Sequence, residues 1–185
     1  MIDVEALIGE VIGREGGYSN HPADRGGPTR WGVTQAVARA HGYNGDMQIF
    51  PREKAVDIYR RIYWTQPALD QVAVRFPRVA AELFDTGVNM GPSIGIRFLQ
   101  RALNALNRNG RDYPDIAPMA PSIGPKTIAA LEGFWRARGA AGESVLLKAI
   151  ECQQGARYIE LGEARPPNEA FMYGWLDHRI GQLAR

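Results

Sequence analysis

Sulfur chemistry is nearly absent from this sequence. Cys152 is the only cysteine among 185 residues, so no intrachain disulfide can form. With one cysteine and three scattered histidines, neither a zinc site nor a cysteine nucleophile is indicated. Cys152 falls in a predicted helix and reads as a small buried apolar residue. Lysine is scarce too: Lys54, Lys126 and Lys148 are the only ones, and arginine supplies the remaining positive charge. The 22 basic and 20 acidic residues are interspersed and leave a net charge of +2. A nucleic-acid-binding face would need a denser basic patch, so no nucleic-acid partner is expected. A mildly basic surface still favours an anionic polymer. No segment approaches the ~20 consecutive apolar residues of a membrane span, and no stable membrane insertion is expected. The opening Met1-Ile2-Asp3-Val4-Glu5 has no basic stretch and no long apolar run after it, so no signal peptide is expected.

What is present is an ordinary apolar complement. Hydrophobic residues make up 45% of the chain, enough for one core or for two small lobes sharing a cleft. Their spacing is mostly helical. Val4, Leu7, Ile8, Val11 and Ile12 follow the i, i+3, i+4, i+7, i+8 pattern, and Gly16-Gly17 stops that helix. Residues 18–33 lack the period and are rich in turn formers, which predicts a loop or short irregular hairpin ending at Trp31-Gly32-Val33. Thr34 is a candidate cap for a helix over 35–41.

Pro51 marks a further helix start, with Ala55, Ile58, Tyr59, Ile62 and Tyr63 on its apolar face. Pro77 opens another, with Ala80, Leu83, Phe84 and Val88 inward, and Gly91-Pro92 breaks it. Ile96, Leu99, Leu103 and Leu106 define the next. Residues 107–123 read as a long polar, proline-rich surface loop. Helices are predicted over 125–137, 143–162 and 168–183. The expected organisation is a catalytic lobe over 1–75 and a helical lobe over 76–185.

The segment with chemistry to offer runs from Glu15 to Thr34. Glu15 ends a helix, and Asp24 lies in the loop that follows, where the chain can fold back and bring two carboxylates together. Cleavage of a glycosidic bond needs a protonated acid at the leaving oxygen. It also needs a second polar group that supports the cation-like transition state or orients water. The partial negative charge at a helix C-terminus disfavours an ionised carboxylate, and partial burial acts the same way, so Glu15 can stay protonated near neutral pH. Spacing alone also fits Glu15 as a solvated helix-end residue, and Asp24 as a loop-stabilising turn residue.

Glu15-Gly16-Gly17-Tyr18, followed by Asp24-Arg25-Gly26-Gly27-Pro28-Thr29-Arg30-Trp31-Gly32-Val33-Thr34, resembles the signature of glycoside hydrolase family 108. These are N-acetylmuramidases of phages, prophages and gene-transfer elements, and they more often carry Lys-Tyr where this chain has Arg30-Trp31. Further on, Phe84-Asp85-Thr86-Gly87-Val88-Asn89-Met90-Gly91, Leu99-Gln100-Arg101-Ala102-Leu103-Asn104, Ile123-Gly124-Pro125-Lys126-Thr127 and Phe171-Met172-Tyr173-Gly174-Trp175 are similar to the predicted peptidoglycan-binding region that accompanies that family. The resemblance implies a mainly α, lysozyme-like, two-lobed fold with a small β or irregular segment near residues 16–34.

The same segment resembles the Glu–Asp–Thr triad of phage-type lysozymes, with Glu15, Asp24 and Thr29 as counterparts. The Asp–Thr interval is one residue shorter than in that pattern, which leaves Thr34 as an alternative to Thr29. Tyr18 and Trp31 flank the carboxylates and can face sugar rings, or else they fill the core of the small lobe. His21 in the same loop reads as structural. Asp85 and Asn89, at i and i+4, can line a cleft as substrate contacts or form a local pair. Tyr173 and Trp175 read as core.

The resemblance implies an endolysin that hydrolyses the β-1,4 bond between N-acetylmuramic acid and N-acetylglucosamine and lyses the cell wall. A lytic transglycosylase and a non-catalytic wall-binding protein are the rival readings. No metal and no cofactor are expected. The expected partner is the peptidoglycan glycan strand, and the protein is expected to be a monomer. It would be made in the cytoplasm and reach periplasmic peptidoglycan through a holin-type pore.

Overall fold

The computed structural model describes residues 2–20 and 27–181. They form two compact units, Asp3–Gln66 and Pro67 onward. Both are dominated by helix, and the chain is mainly α with one small sheet.

In the first unit, helix α1 is Val4–Glu15. Asp3 caps it by accepting from Ala6 N at 3.0 Å, which satisfies one of the donors orphaned at a helix start. Ile8 and Ile12 are fully buried, as the helical spacing requires. The helix ends where Gly16 takes φ 78°, a value that strains any residue with a Cβ. Three two-residue strands follow: β1 (Tyr18–Ser19), β2 (Thr29–Arg30) and β3 (Val33–Thr34). They pair antiparallel in the order β1-β2-β3, with Tyr18 opposite Arg30, Ser19 opposite Thr29, Thr29 opposite Thr34 and Arg30 opposite Val33. Thr34 then caps α2 (Gln35–Ala40) by accepting from Val37 N at 3.4 Å.

Helix α3 (Arg52–Tyr59) begins just after Pro51 and buries Ala55, Ile58 and Tyr59. It packs against α1. The inward face expected at Ile62 and Tyr63 does not continue. The chain passes into a π-helical turn over Arg60–Thr65, and the wider i→i+5 spacing rotates Trp64 inward instead.

The second unit opens with α4 (Leu69–Ala73), a short helix held by the fully buried Leu69 and Val72. Helix α5 (Pro77–Met90) is buried almost all round from Val79 to Gly87. No side chain of its own caps α5. Glu143, 65 residues on, accepts from Arg78 N at 2.7 Å and Val79 N at 3.4 Å and so places a carboxylate on the positive helix end.

Helix α6 (Pro92–Leu106) turns its Ile96, Leu99 and Leu103 into the core. The following stretch, expected as a surface loop, is pinned at two points. Tyr113 donates its hydroxyl to Leu103 O at 2.8 Å, and Asn104 brackets the Ile116 backbone through bonds of 2.8 and 3.2 Å. Tyr113 and Ile116 are both buried, so this loop contributes to the core. Helices α7 (Pro125–Arg138), α8 (Gly142–Ala164) and α9 (Glu169–Arg179) complete the unit.

Phe76, Phe84 and Phe134 are its largest fully buried side chains, and Phe76 meets Phe134 at 5.9 Å and Trp135 edge-on at 5.7 Å. Cys152 is exposed rather than buried, because α8 turns Leu146, Leu147, Ile150 and Gln154 inward and Cys152 lies off that stripe. Tyr173 is not core either: it is 83% exposed on α9, whose Trp175 is half-buried and stacks between Tyr158 and Phe171.

Candidate active site

The first unit holds Glu15, Tyr18, Thr29 and Trp31 of the expected site residues on or between its first elements. Glu15 is the last residue of α1, one position before the backbone reversal at Gly16. Tyr18 follows on β1, 40% exposed. Asp24, His21 and the rest of 21–26 lie outside the described residues. Thr29 is half-buried on β2, between Ser19 and Thr34 on the flanking strands. Its hydroxyl donates to Gly27 O at 3.1 Å, which fixes the proton and leaves the oxygen lone pairs as the free function.

Trp31 holds an unusual place. Trp31 and Gly32 form the two-residue connection between β2 and β3, and both have positive φ, 55° and 72°. That is the type I′ hairpin geometry, for which Asn-Gly is the ordinary choice. A tryptophan there costs about 1–2 kcal/mol of left-handed backbone strain. Two contacts offset it. The indole Nε1 donates to Phe50 O at 3.1 Å, and the Arg30 guanidinium lies over the ring at 5.3 Å. Trp31 therefore fastens the sheet to the residue preceding α3 while remaining half-buried. Replacing Trp31 by Phe keeps a ring but removes the donor to Phe50 O. A loss of about 1–2 kcal/mol of stability is expected. Urea unfolding of the two proteins measures it, and coincident midpoints would show that the indole bond contributes nothing.

Asp85 and Asn89 belong to the second unit. They form the local pair that their i, i+4 spacing allows: Asn89 Nδ2 donates to Asp85 O at 2.7 Å and to its carboxylate at 3.2 Å. The Asp85 carboxylate also receives Arg179 Nη1 at 3.0 and 3.1 Å, so it ties α5 to the end of α9. Asn89 is exposed.

One group here has no place in the sequence reading. Glu82, one turn before Asp85, is only 3% exposed. Burial first, and then the neighbouring Asp85 and Glu151, push its carboxyl up to about 8; a hydrogen bond from Thr86 and the charge of Arg179 act in the opposite direction. Gln154 Nε2 donates to Thr86 Oγ1 at 3.0 Å and Thr86 Oγ1 donates to Glu82 at 3.3 Å, a relay that ends on the acid. A strongly shifted acid is a usual mark of a functional site. At this depth Glu82 cannot meet a polymer, and its signal belongs to stability. A glutamate flanked by Ala80, Ala81, Leu83 and Phe84 on a helix was the available clue. Among the described residues, no three His, Cys, Asp or Glu side chains gather as metal ligands, and no helix is long and apolar enough to cross a membrane.

Residues 8–91 match the family described as Glycosyl hydrolase 108, and residues 94–180 match the family described as Predicted Peptidoglycan domain. The first match takes in the last two turns of α1, the sheet and α5. The solved structure of Brucella abortus SagA is similar at 25% sequence identity and a TM-score of 0.67, with 98% of this chain and 91% of that chain covered. No curated protein matches the chain.

Proposed function

We propose that this chain, whose residues 8–91 match the glycosyl hydrolase 108 family and whose residues 94–180 match a predicted peptidoglycan domain, is a peptidoglycan-hydrolysing glycosidase and, more narrowly, an N-acetylmuramidase. It cleaves the β-1,4 bond from N-acetylmuramic acid to N-acetylglucosamine, and in doing so acts as a lytic enzyme of phage or gene-transfer-element type. The observation that carries the reading is the placement of Glu15 as the final residue of α1, directly ahead of the sheet that holds Tyr18, Thr29 and Trp31. Four chemistry-bearing positions within the matched segment thus stand on α1, β1, β2 and the turn after β2.

Glu15 is the general acid that protonates the leaving glycosidic oxygen. The negative end of the α1 dipole favours its protonated form. Asp24 is the second carboxylate, and the Thr29 oxygen accepts from the attacking water. Tyr18 and Trp31 offer ring faces to the sugars. On the second unit's own surface, Asp85 and Asn89 are proposed as further peptidoglycan contacts. The enzyme is proposed to act as a monomer on periplasmic peptidoglycan, released from the cytoplasm through a holin-type pore.

Incubating the full chain with purified sacculi tests the class of reaction. New reducing sugar ends without new free amino groups are the expected result. New amino groups without reducing ends would make the protein a peptide- or amide-cleaving enzyme, 1,6-anhydro ends without either would make it a transglycosylase, and release of no fragment at all would make it a binder.

A further inference from the structure

The second unit carries a basic groove that the hydrolytic reading does not use. Helix α6 presents Ile94, Arg97, Phe98 and Arg101, spaced i, i+3, i+4, i+7, to one side of a cavity of about 500 Å³. Helix α8 presents the opposite wall, where Ala156 leaves room. Gln153 fixes the distance between the walls: its Nε2 donates to Phe98 O on α6 and to Ala149 O on its own helix, both at 2.9 Å.

Arg97, Arg101 and Arg157 all line the groove, with Glu160 as the lining carboxylate. Glu160 is engaged by Arg157 at 2.9 Å. Among the described residues, Arg97 and Arg101 have neither an ion pair nor a hydrogen bond. Two like charges one helical turn apart repel each other. An anion seated between them removes that cost and offers both guanidiniums the paired acceptor oxygens that they fit.

We propose that the groove between α6 and α8 binds the carboxylate-bearing stem peptide of peptidoglycan, rather than its glycan. The inference rests on peptidoglycan being the substrate of this chain. Stem peptides carry free carboxylates on short aliphatic stems, whereas the glycan backbone offers hydroxyls and amides. The groove matches the former, because its lining combines three guanidiniums with the apolar Ile94, Phe98 and Ala156. Its volume lies within the ~300–1,000 Å³ of pockets that hold small organic ligands. Seating a peptide here holds the enzyme on cross-linked wall while the first unit cuts sugar bonds.

Cys152 supplies the assay, because it lines this groove, is exposed and is the chain's only cysteine. The alkylation rate of the intact protein therefore reports occupancy of the groove without any catalysis. A synthetic tripeptide, L-Ala–γ-D-Glu–meso-diaminopimelate, is expected to slow Cys152 alkylation saturably, and the same peptide with its carboxylates amidated is expected not to. The double variant Arg97→Gln, Arg101→Gln should weaken the tripeptide about tenfold or more, the scale of losing charge-assisted hydrogen bonds. It should still cut a stem-free glycan at the normal rate.

Absence of protection by the tripeptide overturns the inference, and if the same protein opens sacculi the hydrolase reading stands. Protection without any cleavage of sacculi leaves the groove and removes the muramidase. Equal protection by inorganic phosphate at the same concentration would make this a general anion groove and overturn the assignment to the peptide.

Discussion

Replacing Glu15 by Gln is expected to lower the rate of wall hydrolysis by about 10²–10⁴-fold, the contribution of general acid catalysis, and to leave the fold intact. The loss should sit at the upper end of that range, because a sugar alkoxide is a poor leaving group until it is protonated. Glutamine preserves the length and a donor group but has no proton to deliver. The fold should tolerate the change for a positional reason. Glu15 is the last residue of α1, after the fully buried Ile8 and Ile12 have made their contacts and before Gly16 turns the chain away. Removing a negative charge from the negative end of a helix stabilises it slightly, by about 0.3–1 kcal/mol. Turbidity loss of outer-membrane-stripped cells, together with thermal melting, measures both effects. A folded Glu15→Gln protein with near wild-type turbidity loss would show that the acid lies elsewhere.

The second large effect concerns stability in the other unit and comes from Glu82. Its carboxyl, at 4.5 when unperturbed, is raised to about 8 in the fold by burial, then by Asp85 and Glu151. Below about 4.5 the acid is protonated in the folded and the unfolded chain, and its contribution is fully present. Between about 4.5 and about 8 the unfolded chain has released the proton while the fold retains it. The folded state then binds more protons, so stability falls as pH rises across this window, by as much as ~1.4 kcal/mol per pH unit. Glu82→Gln keeps the shape, still accepts from Thr86, and never ionises. It should flatten the profile and be more stable than the wild type at the alkaline end by a few kcal/mol. Denaturant midpoints at the two ends of the window, for both proteins, decide it. Parallel pH profiles would show that Glu82 is not the group responsible.

These two residues also mark the limit of what the sequence discloses. The place of Glu15 at a helix end was legible because periodicity works where one face of a helix is buried: Val4 to Ile12 defined α1, and the glycine pair defined its end. Glu82 was hidden because α5 is buried on nearly every side, and a helix without a solvent face has no periodic contrast against which a polar residue stands out.

The irregular segment near 16–34 was legible from its turn formers, but its register was not. A hairpin of this type is usually marked by Asn-Gly, and Trp31-Gly32 takes the same backbone only because Phe50 and Arg30 hold the indole, a contact at long range in sequence. The π turn at Arg60–Thr65 defeats an i, i+3, i+4 count for a related reason, since one extra residue in the turn exchanges Ile62 and Tyr63 for Trp64. The α6–α8 groove was not legible because its two walls are half-sites on different helices. Only the fold brings position 97 beside position 157.

The central claim is hydrolysis at muramic acid. Digesting sacculi with the full chain in heavy-oxygen water, followed by mass spectrometry of the released fragments, tests it most directly. The account predicts reducing N-acetylmuramic ends that carry one heavy oxygen, abundant with the wild type and nearly absent with Glu15→Gln. Unlabelled 1,6-anhydro ends, in which a sugar hydroxyl has replaced water, or labelled ends on N-acetylglucosamine, would contradict it.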